Sequence, residues 1–326
     1  MPLLRINATP DGLALHNSVA SVTDALTAAA LTPGPVIVMV HGYKYDPLLP
    51  GHCPHKKIFG NRADSWPGAL GFGEGRPDEG LGIAFGWYAR GPLRRVHQRA
   101  ARLGESLAAI LSALHRANPA RPVHIIAHSM GAETALSALA FVKPGAVNRM
   151  ILLAGASFAS RASAMLDTPA GREVEVFNIT SRENDIFDLA FERIVPAPVP
   201  GDLSIGQGIA APNATTLQID CPHTLTALSR LNVRISPPDH RVCHWSTYRR
   251  RGVMPFYNRL LRQRTGLSAR CLAGILPMAP APRWSGLRGI VTAPQQFIHA
   301  RWLALLVKNR IMAGSQAQEK QNEHAY

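Results

Sequence analysis

Between residue 36 and about residue 220, short apolar runs alternate with stretches whose apolar positions recur every three or four residues. The runs are residues 36–40 (VIVMV), 82–87 (GIAFGW), 123–127 (VHIIA), 150–153 (MILL), 174–179 (VEVFNI) and a shorter 215–219 (TTLQI). They are apolar at nearly every position rather than at alternate ones, which predicts strands covered on both faces. Between them, residues 93–118 set Leu103, Leu107, Ile110, Leu111 and Leu114 on one helix face and stop at Asn118-Pro119. Residues 132–142, directly after Gly131, predict a second helix, and 18–30 a third, ahead of the turn Thr32-Pro33-Gly34-Pro35. Strands alternating with helices in this way predict βαβ units, hence an α/β fold with a mostly parallel central sheet flanked by helices.

Two segments interrupt the alternation. Residues 46–80 are rich in Gly and Pro and have no clear period. Loops this long in compact domains commonly serve as lids or binding loops, and Phe59, Trp66, Leu70 and Phe72 suit an apolar substrate cover. The second segment is basic. The chain of 326 residues carries a net charge of +14, and residues 249–310 hold eleven Arg and one Lys with no Asp or Glu, so this window accounts for +12 of it. The pattern divides the chain into a core at 1–248 with its 46–80 insertion, a basic extension at 249–311 with helical patterns around 256–264 and 297–311, and a polar tail at 312–326 expected to be disordered.

The first thirty residues lack the basic start and apolar run of a signal peptide, and no stretch reaches the roughly 18–20 apolar residues that span a bilayer. The expected compartment is the cytoplasm. Cys53, Cys221, Cys243 and Cys271 are scattered without CxxC pairs and read as reduced thiols. His52-Cys53-Pro54-His55 invites a zinc reading but lacks a second cluster at matching spacing; Cys221-Pro222-His223 is a weak partner.

The strongest chemical signal is Ala127-His128-Ser129-Met130-Gly131, with an apolar strand before it and a helix after it. A strand–turn–helix elbow of this kind needs small residues beside the serine, and it lifts Ser Oγ clear of the sheet at the positive end of the helix. The alternative is an ordinary serine at a strand end. Upstream, residues 36–43 (VIVMVHGY) form a second strand that ends in His41-Gly42.

At these residues the chain resembles the α/β-hydrolase superfamily, with an Ala-first elbow similar to that of some bacterial lipases. Residues 82–91 (GIAFGWYARG), before a long helix and the elbow, resemble a group of bacterial α/β-hydrolases. The resemblance covers roughly 36–248, names no substrate and leaves out the basic region. It implies Ser129 as nucleophile and a Ser–acid–His order along the chain. It also implies an oxyanion hole from the Tyr43 and Met130 amides, with His41 as a structural hydrogen-bonder. The acid should follow the strand at 174–179, where Asp185 is the first choice and Glu183 and Asp188 are rivals. The histidine should follow the last strand. His244, in Arg241-Val-Cys-His-Trp-Ser-Thr-Tyr248, is preferred, with His223 and His240 as alternatives.

The expected activity is that of a serine hydrolase, esterase- or lipase-like, cleaving a small-molecule carboxylic ester through an acyl-enzyme. No cofactor or metal is implied. The other class to weigh is a non-catalytic α/β-hydrolase-fold protein that uses its basic region for membrane or partner binding. For that region, residues 286–310 mix Arg with apolar positions and suit an anionic membrane surface. No nucleic-acid-binding module is present, so nucleic acid is not an expected partner.

Overall fold

A computed structural model of the chain describes residues 3–29, 32–263 and 267–287, and in it each of the six apolar runs forms a strand of one eight-stranded sheet. The strands are β1 (Leu3–Thr9), β2 (Gly12–Leu15), β3 (Val36–Val40), β4 (Leu81–Trp87), β5 (Val123–His128), β6 (Arg149–Leu153), β7 (Glu175–Thr180) and β8 (Ala214–Gln218). Their spatial order is β2-β1-β4-β3-β5-β6-β7-β8. All neighbours are parallel except the edge pair β1 and β2, a hairpin.

The helices are α1 (Val22–Ala29), α2 (Pro54–Lys57), α3 (Trp66–Ala69), α4 (Leu93–Ala117), α5 (Met130–Ala138), α6 (Ala159–Leu166), α7 (Asp185–Ile194), α8 (Pro222–Arg230), α9 (Ser246–Arg249), α10 (Val253–Arg262) and α11 (Ala269–Ala273). The apolar runs are continuous because alternate residues serve two cores. Val36, Val38 and Val40 join Ile83, Phe85 and Ile125 under α4, which contributes Leu107 and Leu111. Ile37 and Met39 face the other way, with Ala84, Ile126 and Phe177, against Phe256, Tyr257 and Leu260 of α10. Each large side chain so buried contributes roughly 1.5–3 kcal/mol, which fixes the register of the sheet on both faces.

β3 lies between β4 and β5, so the chain leaves it to one side and returns on the other. In open α/β sheets the crevice beyond the carboxyl ends of two such strands is where ligands bind. Here it lies between the ends of β3 and β5.

The hairpin β1–β2 is absent from the sequence expectation. It sits at the edge of the sheet, and β1 alternates: Leu4, Ile6 and Ala8 pack on one core while Arg5 points the other way, to Asn61 Oδ1. Such a strand has no apolar run to betray it.

The 46–80 insertion also differs from the reading as an apolar cover. Phe59, Trp66, Leu70 and Phe72 are all buried in the second core, with Ile37, Met39 and α10. Their apolar surface is taken up by the sheet, while Leu48 and Leu49 at the start of the insertion are exposed.

Residues 249–283 are part of the same compact unit as the sheet, which runs Met1–Arg283. Several of their arginines hold that unit together. Arg250 pairs with Glu183 and donates to the Ile219 carbonyl, Arg262 donates to the Leu70 and Glu79 carbonyls, and Arg259 to those of Leu231 and Asn232. In the second unit, Trp284–Tyr326, the described part ends with a 3-10 turn at Ser285–Leu287. The expected helix at 297–311, the tail at 312–326 and most of the 286–310 segment expected to suit a membrane surface lie outside the described residues. Among the described residues no helix is long and apolar enough to cross a membrane.

Candidate active site

Ser129 is the single residue between β5 and α5, and its backbone takes φ 54°, ψ −123°. A non-glycine residue in that region costs on the order of 1–3 kcal/mol, so the surroundings must impose it. They do so through backbone alone. The Ser129 amide donates to the Leu153 carbonyl at 3.0 Å, and its carbonyl accepts from the Ala132 and Ala156 amides, each at 3.0 Å. Two glycines let the β3 loop close on this turn. A Cβ on Gly42 would lie 2.7 Å from Ser129 Cβ, and one on Gly131 would lie 2.6 Å from the His41 carbonyl oxygen.

The β3 loop is pinned by His41. This ring is fully buried and stacks on Trp87 with centroids 5.4 Å apart. The Trp87 amide donates to His41 Nε2 at 3.0 Å, which leaves Nδ1 to carry the proton toward the Gly42 carbonyl at 2.9 Å. Burial pushes the ring down to about 3, so it is a neutral structural pin. The next peptide belongs to Tyr43, whose hydroxyl donates to the Gly91 carbonyl at 2.6 Å. Met130 carries the first amide of α5, an N–H with no partner inside the helix.

His244 comes to this end of the sheet from the segment between α8 and α9. Its carbonyl accepts from His128 Nε2 at 3.1 Å, and its ring lies 4.6 Å from that of His128, the residue just before Ser129. Phe187 of α7 covers the ring at 4.7 Å, and Tyr248 meets His128 edge-on at 4.9 Å. His128 is therefore the clamp between the elbow and the His244 segment, a role the sequence did not reveal. Burial holds it down at about 4, partly opposed by its bond to the His244 carbonyl.

The other two histidines lie elsewhere: His223 is exposed at the start of α8, and His240 is exposed beside Asp239. No hydrogen bond joins Ser129 Oγ to the His244 ring among the described residues.

The partner of His244 is a correction to the sequence expectation. Its Nδ1 meets Asn184 Oδ1 at 2.7 Å. Asp185, the expected acid, is turned to the buried Arg182 guanidinium, 3.0 Å away. Glu183 is held by Ser181 and by Arg250. The cause is the 3-10 turn Arg182–Asn184 after β7, which leaves Asn184 facing the ring and makes Asp185 the first residue of α7.

Asn184 Nδ2 donates to Asp188 Oδ1 at 2.9 Å. The amide oxygen is thus the acceptor toward His244, so Nδ1 carries the imidazole proton and Nε2 the lone pair. Burial first, then the unfavourable electrostatics of protonating it beside His128 and Lys44, hold the His244 ring well below the usual range. Near neutral pH it is an unprotonated base. Asp188 is buried, and burial pushes it up to about 7, against the pull of Arg283.

His52-Cys53-Pro54-His55 belongs to a different cluster. His55 Nε2 meets Asn7 Oδ1 at 2.7 Å and its ring packs on His16. Among the described residues no three His, Cys, Asp or Glu side chains are grouped to hold a metal ion.

Fold and site together define an α/β protein with a strained serine and a neutral histidine at the switch point of a mixed, mostly parallel sheet. Compared with models of known protein families the chain matches none, and a comparison with curated proteins finds no match either.

Proposed function

We propose that the protein is an α/β-hydrolase that cleaves a small carboxylic ester through Ser129. The carrying observation is the turn at Ser129, held at φ 54° between a buried strand and a helix, at the crevice where such sheets bind ligands. Strain of this kind persists only when the structure over-determines it, and it concentrates at functional sites.

In this reading Ser129 Oγ attacks the ester carbonyl carbon as His244 Nε2 takes the hydroxyl proton. The Tyr43 and Met130 amides receive the oxyanion of the tetrahedral intermediate, each such donor contributing about 3–4 kcal/mol in comparable sites. The C–O bond to the alcohol breaks, and the alcohol leaves with the proton that His244 held. Water, deprotonated by the same nitrogen, then releases the acid and restores Ser129. Asn184 fixes the tautomer that makes Nε2 the base.

A second reading, a non-catalytic protein on the same scaffold, is favoured by one observation: the group on His244 Nδ1 is a neutral amide, not a carboxylate. A panel of p-nitrophenyl esters from C2 to C16, run on wild type and Ser129→Ala, separates the two. The hydrolase reading expects turnover in wild type and a loss of several orders of magnitude in the variant, with unchanged circular dichroism. Absent turnover, or equal turnover in both proteins, leaves the non-catalytic reading.

A further inference from the structure

The site holds a carboxyl group one residue further from His244 than a direct acid would be. Asp188 and four other ionisable side chains gather within the fold. Arg182 pairs with Asp185 at 3.0 Å, and Arg283 forks onto Glu192 at 2.7 and 2.8 Å. These four form two pairs of opposite charge. The fifth is Asp188, and its hydrogen bond goes to Asn184 Nδ2 at 2.9 Å.

Asn184 in turn offers its oxygen to His244 Nδ1 at 2.7 Å. The amide is a polarisable link, since donating from nitrogen to a carboxylate makes its oxygen a stronger acceptor. The backbone is shaped to this carboxylate: a Cβ on Gly206 would fall 2.1 Å from Asp188 Oδ2. Burying a carboxylate costs folding free energy that only pairing and hydrogen bonds offset.

We propose that Asp188 is the anionic positioning residue of the site, acting through Asn184 to orient His244 and to stabilise its imidazolium. This rests on the hydrolase reading and extends it to four side chains in line, Ser129, His244, Asn184 and Asp188. No proton passes along the line: His244 takes the serine proton on Nε2, keeps the one on Nδ1, and Asp188 supplies charge only.

The line also makes the site responsive to pH. Titratable and charged groups facing Asp188 are Arg182 from the turn after β7, Asp185 and Glu192 from its own helix, and Arg283 from beyond α11. Burial keeps Asp188 protonated up to about 7, so the charge, and the activity it supports, appears as pH rises through that value. His244 is already neutral over the same range.

The test uses the full chain and the p-nitrophenyl ester that wild type cleaves fastest. Asp188→Asn keeps the shape and removes the charge. Its kcat should fall about 10- to 100-fold, by analogy with the loss when the outer hydrogen-bond partner of a metal-bound histidine is removed, with KM little changed and the rise near pH 7 gone. The double variant Asn184→Asp/Asp188→Asn moves the charge onto His244 and should recover about tenfold or more of the loss. Wild-type kcat and pH profile in Asp188→Asn, or a double variant no better than the single, would overturn the proposal and leave the hydrolase reading standing. If no ester is cleaved, that reading fails by itself, and the relay is read by NMR. The His244 Nδ1–H resonance should shift with a midpoint near pH 7 in wild type and not in Asp188→Asn; a pH-independent resonance in wild type overturns it.

Discussion

The turns that carry Ser129 and Asn184 end strands two places apart in one sheet, yet they are held by different forces. Ser129 is fixed by main chain: amides and carbonyls from β6 and α5, and the close approach of Gly42. Asn184 is fixed by side chains, His244 sixty residues on and Asp188 one helical turn on. The first turn depends on main chain from neighbouring segments fitting closely around it. The second depends on which side chains those segments bring face to face. Substitutions at the two turns should therefore fail in different ways.

The largest effect is expected where the two turns meet, at the histidine. His244→Ala should lower kcat on ester substrate by about 10⁴-fold or more, with little change in melting temperature. Loss of fold together with activity would mean that the residue is structural. Next come the neighbours at the second turn, which should separate cleanly. Asp185→Asn breaks the buried pair with Arg182 and should cost roughly 3–5 kcal/mol in denaturant unfolding. Asn184→Ala should instead act on kcat, by about 10- to 100-fold. The reverse pattern, with Asp185→Asn stable and inactive, would return the acid's role to Asp185.

At the first turn the expected damage is steric. Gly42→Ala should destabilise by about 1–3 kcal/mol, because its Cβ would fall 2.7 Å from Ser129 Cβ. Wild-type stability there would show that the β3 loop yields readily and does not hold the elbow.

The smallest effect is one of pH on stability. The Asp188 carboxyl has a folded-state pKa raised from 3.8 to about 7, so the folded state binds the proton more tightly than the unfolded chain. The stability this lends is fully present below the unfolded value and is lost as pH rises through about 7. Asp188→Asn removes the ionisation, so its melting temperature relative to wild type should be higher at pH 8 than at pH 5. An equal difference at both values would mean that Asp188 does not titrate in this window.

What was legible in the sequence follows the same division. The elbow, the His41-Gly42 strand end and strands β3 to β8 were readable because each is specified by consecutive residues: an apolar run, a small residue, a helix start. Hairpin β1–β2 was not, since β1, next to the edge and covered unequally on its two sides, alternates rather than running apolar. Asn184 was passed over for Asp185, its neighbour, because which of the two faces the imidazole depends on a 3-10 turn that no single residue dictates. A signal was nonetheless present. Ser181–Asp185 are five polar residues in a row after a buried strand, and Asn184 and Asp188 are spaced i, i+4, the spacing that aligns side chains on a helix. The apolar residues of the 46–80 insertion looked like a cover because sequence alone does not show which way a loop folds. They pack on the sheet, against a helix almost two hundred residues away.

The central claim is that Ser129 is an activated nucleophile. A fluorophosphonate probe reacts with such a serine and not with an ordinary one, and mass mapping of the labelled peptide identifies the residue. The account predicts one label per chain on Ser129 in wild type, none in Ser129→Ala, and strongly slowed labelling in His244→Ala. An unlabelled wild-type protein that is folded, or labelling that persists in Ser129→Ala, would contradict it.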